Sequence, residues 1–163
     1  AYLAERGVPV SITPRIDDEA GRSCGTRNLR AMIASGEVRE ANALMGRPFS
    51  LEGQVIHGKS LGHTLGFPTM NVPVPGELVR PAAGVYAARV LVRGAWRDAV
   101  TNVSEAGLSE SFVFDFAADV YGEEIRTALL DYIRPMRRFS GLDELTAQVM
   151  RDRRAAESAL RAL

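Results

Sequence analysis

The chemistry in this chain is concentrated in one stretch, Gly62-His63-Thr64-Leu65-Gly66-Phe67-Pro68-Thr69-Met70-Asn71-Val72-Pro73-Val74-Pro75, where glycines and prolines crowd around two neutral oxygen donors. Glycine opens backbone conformations and close approaches that a side chain forbids, and proline fixes φ near about −65°. Gly66 and Pro68 therefore hold a shaped, rigid turn. The hydroxyl of Thr69 and the amide of Asn71 follow it two residues apart, and in an extended chain they project to the same side. Neutral oxygens on one side suit a magnesium ion that keeps most of its charge for phosphate. Spacing alone leaves a second reading open, a proline-rich loop in which Thr69 and Asn71 bond only to their own turn.

Just upstream, the loop from His57 to Gly66 carries Gly58 and Gly62, which bring backbone N–H groups close to phosphate oxygens. It is not a Walker loop, because no Gly-Lys-Ser/Thr follows at the required spacing. His57 and His63 make a poor zinc site: with one cysteine in the chain, Cys24, and no third histidine, the coordination sphere is incomplete. The same lone cysteine excludes a disulfide framework. With 20 basic and 20 acidic residues the chain has no electrostatic footprint for nucleic acid or an anionic membrane surface. No apolar run approaches the length of a membrane span, and the first residues do not form a signal peptide. The expected compartment is the cytoplasm. The chain begins at Ala1 in what reads as the middle of a helix, so a fragment of something longer is expected.

The elements that must position these residues follow from periodicity. Residues 1–7 read as the end of a helix and Val8 to Thr13 as a short strand, followed by a polar loop. From Thr26 the pattern is helical, with Leu29, Met32 and Ile33 on one face and Gly36 as the stop. A second short helix runs from Val38 to Met45. At Phe49 the period switches to two: Leu51, Gly53, Val55 and His57 alternate with Ser50, Glu52, Gln54 and Ile56, a strand that enters the glycine-containing loop. Gly84 to Val92 and Trp96 to Val103 form a hairpin about Arg93-Gly94-Ala95. Glu110 to Ala117 and Glu124 to Tyr132 are further strands joined through Asp119 to Gly122. Leu142 to Leu163 is a long amphipathic helix, with Leu145, Val149 and Ala156 inward and Asp152, Arg153 and Arg154 outward. Sequential strands with short turns and a terminal helix predict a mainly β protein, an antiparallel barrel closed off by that helix.

Gly66-Phe67-Pro68-Thr69-Met70-Asn71 resembles the G-(F/I)-P-T-A-N signature of riboflavin kinases, with Met70 at the usual alanine position. Gly58 and Gly62 upstream, Gly84-Val85-Tyr86, Asp119-Val120-Tyr121-Gly122, and Arg134-Pro135 followed by Phe139 extend the likeness over about residues 26–160. It implies a compact Greek-key antiparallel β-barrel with a C-terminal helix over residues 49–163. Residues 1–48 would be the tail of an adenylyltransferase domain and a helical connector. The segment Thr26-Arg27-Asn28-Leu29-Arg30 stands where bifunctional riboflavin kinase/FAD synthetases carry S-T-x-I-R, with Arg27 replacing the threonine. A linked upstream FMN adenylyltransferase domain is the implied partner.

The implied reaction converts ATP and riboflavin to ADP and FMN with magnesium, by direct in-line attack of the riboflavin 5′-hydroxyl on the γ-phosphorus. Thr69 and Asn71 would face the metal, and Glu110, at the head of its strand, would be the base that accepts the hydroxyl proton. Gly58, Gly62, His63, Gly66, Pro68, Val113, Asp115 and Tyr121 would line the nucleotide. Arg134, Arg137 and Phe139 would touch the flavin or its phosphate, the aromatic ring and guanidinium groups holding a planar ring between them. Two departures stand out. His63 occupies a position where the family normally has Lys or Arg. Between Asn102-Val103-Ser104 and Glu110 there is only Glu105-Ala106-Gly107-Leu108-Ser109, without the family's Pro-Thr-Phe element. They leave an alternative function open, a non-catalytic flavin- or nucleotide-binding barrel with a degenerate active-site loop.

Overall fold

The computed structural model describes residues 2–11, 14, 17, 21, 24–58 and 67–163. Two helices, α1 (Thr26–Ser35) and α2 (Val38–Met45), precede six strands: β1 (Phe49–Gln54), β2 (Thr69–Pro73), β3 (Gly84–Val92), β4 (Ala95–Val103), β5 (Leu108–Val113) and β6 (Glu124–Pro135). The chain ends in a 20-residue helix, α3 (Leu142–Arg161). All strand pairings are antiparallel, in the order β1-β6-β3-β4-β5-β2. The sheet curls until its two edges meet at the bridge between Ile56 and Asn71. Register shifts between β3 and β6, at Val85/Tyr86 and Ala87/Ala88, supply part of the curvature a closing sheet needs. The barrel expectation holds.

Alternation decides what faces inward. On β3, Tyr86, Ala88, Val90 and Val92 are buried in the barrel with Leu51, Val55, Ala99, Val103, Ile125 and Leu129 from other strands. Met32, Ile33, Val38 and Ala41 of α1 and α2 join the same cluster as Tyr86 and Leu129, so the helix pair plugs one end of the barrel. Asn42 pins it there, donating to the Leu129 carbonyl at 2.8 Å and accepting from the Phe49 amide at 2.7 Å. The odd-numbered side of β3, Val85 and Ala87, packs outward with Val100 and Phe112 against Ala156 and Leu160 of α3. Gly84 lets β3 begin against its neighbour: a Cβ there would stand 2.5 Å from the Tyr132 ring and 2.7 Å from the Arg134 carbonyl.

Several sequence expectations are corrected. Val8 to Ser11 form no strand, and a 3-10 turn spans Ala4–Arg6; Ile12 and Thr13 lie outside the described residues. The hairpin turn is the pair Arg93 and Gly94, both at positive φ, and Ala95 already belongs to β4. The strand containing Glu110 stops at Val113, because Asp115 adopts a left-handed conformation (φ 54°) that breaks the extended run. Asp152 is buried, not outward.

Candidate active site

Thr69 and Asn71 lie on β2, at the edge where the barrel closes. Across the ladder Asn71 faces Glu110 of β5, and Glu110 in turn faces Asn102 of β4. Directly opposed residues of an antiparallel pair hold their Cβ atoms about 5 Å apart, so amide, carboxylate and amide form one row. The Asn102 amide donates to Glu110 Oε2 at 3.2 Å. Two carbonyl oxygens of this row, Asn71 Oδ1 and Asn102 Oδ1, are buried without a hydrogen-bond partner among the described residues. Buried polar atoms are nearly always satisfied, and exceptions concentrate where a ligand completes them.

Gly58 makes room for the first of these oxygens. A Cβ at Gly58 would stand 2.4 Å from Asn71 Nδ2 and 3.0 Å from Oδ1, so only glycine lets the loop run this close. Asn71 is held by its backbone, whose carbonyl accepts from the Ile56 amide at 2.8 Å. An unpartnered neutral oxygen two residues from the Thr69 hydroxyl is the donor set a hard divalent cation takes. The residues present fit magnesium.

Two cavities meet at Thr69, and the first of them reaches the row. The first, about 240 Å³, lies between the outer face of β4 and β5 and helix α3; Glu110, Asn102 and Phe112 are on its sheet side. Arg134 at the end of β6, and Arg137 and Phe139 just after it, close the cavity. The two guanidinium carbons stand 5.9 and 4.9 Å from the Phe139 ring centroid. Leu145 and Val149, expected to face the core, line this cavity. The second cavity, about 260 Å³, is bounded by Pro68, Val113, Phe116 and Tyr121. Thr69 lines both cavities.

The turn Asp119 to Gly122 is fastened to the end of β1. The Asp119 carboxylate accepts from the Tyr121 amide at 3.1 Å, and the Gly122 amide donates to the Val55 carbonyl at 2.9 Å. This places the Tyr121 ring against His57, centroids 3.7 Å apart and 28° from parallel. The stacking role of His57 has no local signature in the sequence, because its partner lies 64 positions away. Asn102 falls in the expected strand Trp96 to Val103, and its place opposite Glu110 depends on strand register. Asp115 is highly exposed, pairs with Arg153 at 3.2 Å and lines neither cavity. Gly62, His63 and Gly66 lie outside the described residues.

Helix α3 carries a polar stripe that organises the arginines. Asp152 accepts two bonds from Arg134, from Nε at 2.8 Å and Nη2 at 2.7 Å. Gln148 donates to Asp152 at 2.8 Å and accepts from Arg137 at 3.3 Å. Glu144 pairs with Arg137 and accepts from the Ser140 amide and hydroxyl at 2.9 and 2.8 Å. Those Ser140 bonds, and then Arg137, hold the Glu144 carboxyl below the usual glutamate range.

The barrel thus holds two cavities that share Thr69 on the edge strand β2, with the Glu110 carboxylate on the wall of the first. The family model for riboflavin kinase (flavokinase) matches residues 45–160, and the chain belongs to that family. It is 38% identical over 142 residues to the bifunctional riboflavin kinase/FMN adenylyltransferase of Escherichia coli and 35% identical over 141 residues to that of Listeria monocytogenes. Each match covers 82% of this chain and 45% of the relative, so the chain spans about half the length of these relatives. Among solved structures it superposes on one described as a macrolide-efflux protein from Streptococcus pneumoniae with TM-score 0.82 and 33% identity, over 93% of this chain and 52% of that one. The riboflavin kinase of Trypanosoma brucei shares the fold, with TM-score 0.52 over 70% of this chain and 80% of that one, at 24% identity. Among the described residues no helix is long and apolar enough to cross a membrane.

Proposed function

We propose that the chain transfers the γ-phosphate of ATP to the 5′-hydroxyl of riboflavin, giving FMN and ADP. The observation that carries this is the shared wall: Thr69 borders both cavities, and Glu110 lies on one side of it. Riboflavin occupies the first cavity, its ring beside Phe139 and the arginines and its ribityl chain toward Glu110. ATP occupies the second, its base toward Tyr121 and His57 and its phosphates toward Thr69 and Gly58. Glu110 takes the proton of the 5′-hydroxyl as that oxygen bonds to the γ-phosphorus, and the bond from phosphorus to the β–γ bridging oxygen breaks to release ADP. Asn102 holds the carboxylate toward its neighbour in the row. Thr69 and Asn71 would hold magnesium, which supplies charge neutralisation on the phosphates when bound.

Dinucleotide synthesis is the second activity in the names of the bifunctional relatives, and an FMN adenylyltransferase linked ahead of residue 49 would consume the FMN made here. A cytoplasmic setting, where ATP is abundant, suits the reaction. The test is ATP labelled in its γ-phosphate, incubated with riboflavin, magnesium and the protein. Label recovered in FMN, in equal amount to the ADP formed, is expected; flavin binding with no labelled FMN would identify a binder instead.

A further inference from the structure

Both arginines on the wall of the first cavity are already matched by carboxylates of α3. Arg134 is chelated by Asp152 with both side chains largely out of solvent, 19% and 7% exposed, and its remaining Nη1 donates to the Pro135 carbonyl at 2.9 Å. Arg137 is shared between Glu144 and Gln148. Two guanidinium groups and two carboxylates cancel. The remaining ionised group on that wall among the described residues is Glu110, an acid. A guanidinium whose fork is filled by one carboxylate cannot present the same donors to a phosphate, and the carboxylate repels a phosphate about as strongly as the guanidinium attracts it.

We infer that this matching makes the first cavity selective for the uncharged flavin alcohol over its phosphorylated product, with Asp152 and Glu144 as the specificity-determining residues. The arginines serve the ring by stacking beside Phe139, and among the described residues the new phosphate finds no unmatched cation on that wall to retain it. Product release is thereby built into the helix that closes the cavity. The inference rests on the assignment of that cavity to riboflavin.

The experiment measures equilibrium binding of riboflavin and of FMN, by quenching of flavin fluorescence, to the parent protein, Asp152→Asn and Glu144→Gln. The ratio of FMN affinity to riboflavin affinity is expected to rise about tenfold in Asp152→Asn and about threefold in Glu144→Gln, with the gain suppressed by salt. A helix that is merely loosened weakens both flavins together and leaves the ratio unmoved. Should Asp152→Asn fail to fold, Glu144→Gln carries the test, because its loss leaves no buried charge unpaired. Riboflavin bound by the parent, with an unchanged ratio in the folded variant, overturns the inference alone. A parent that binds neither flavin overturns the riboflavin assignment together with it.

Discussion

Asn71 is the residue of the row whose surroundings are most constrained. Its Oδ1 is buried and unpartnered among the described residues, and Gly58 leaves the space beside it that any larger residue would fill. Replacing Asn71 with alanine removes an unsatisfied polar atom, so the fold loses little, but the proposed metal donor is removed. Asn71→Ala is expected to raise the magnesium concentration for half-maximal FMN formation about tenfold, one lost ligand hydrogen-bond equivalent of about 1.4 kcal/mol. A magnesium titration of the initial rate checks it. The extended run that carries Thr69 and Asn71 was legible because glycine and proline constrain the backbone locally. Asp152 was not. A helical wheel sets an aspartate beside Arg153 and Arg154 on the outer face, yet Arg134, 18 positions earlier, draws it inside. A charge buried by a tertiary partner leaves no trace in periodicity.

The α1–α2 pair reads in the sequence as a connector, two helices that merely pack. Its apolar face is shared with the barrel interior, where Ile33 and Val38 meet Tyr86 and Leu129. Ile33→Ala is therefore expected to destabilise the barrel itself by about 2–4 kcal/mol, seen as one cooperative denaturation curve moved to lower denaturant. A separate early transition, with the barrel unmoved, would contradict the shared core. Helix positions and strand alternation were readable because burial follows the periods of 3.6 and 2. The end of β5 was not, since Asp115 turns left-handed within an otherwise strand-like run. At the start of α3, Glu144 has its pKa lowered in the folded state, so it contributes stability above its unfolded pKa. That contribution is lost as pH falls through the depressed folded value. Denaturation curves for parent and Glu144→Gln are expected to differ at neutral pH and to converge on the acid side of the ordinary glutamate range.

At the scale of the whole molecule, the barrel brings together residues that sequence alone could join only by resemblance. Asn71, Glu110 and Asn102 come from three strands and pairing register makes them one row, with Thr69 two residues before Asn71 on β2. The stack of His57 on Tyr121 and the clamp of α3 on Arg134 and Arg137 then shape a cavity on either side. The turn Ser104 to Leu108, which lacks the family's longer element, closes tightly: the Ser104 amide donates to the Leu108 carbonyl at 2.9 Å and the Leu108 amide to the Ser104 hydroxyl at 3.0 Å. The short turn joins β4 to β5 and thus keeps Glu110 in register with Asn102. The most direct test is the rate of FMN formation at saturating ATP, magnesium and riboflavin, measured by chromatography for the parent and for Glu110→Gln. The account predicts a fall of about 10²-fold or more with riboflavin affinity little changed, as removal of a general base gives. Equal rates from the two proteins would contradict it, and would remove Glu110 from the reaction.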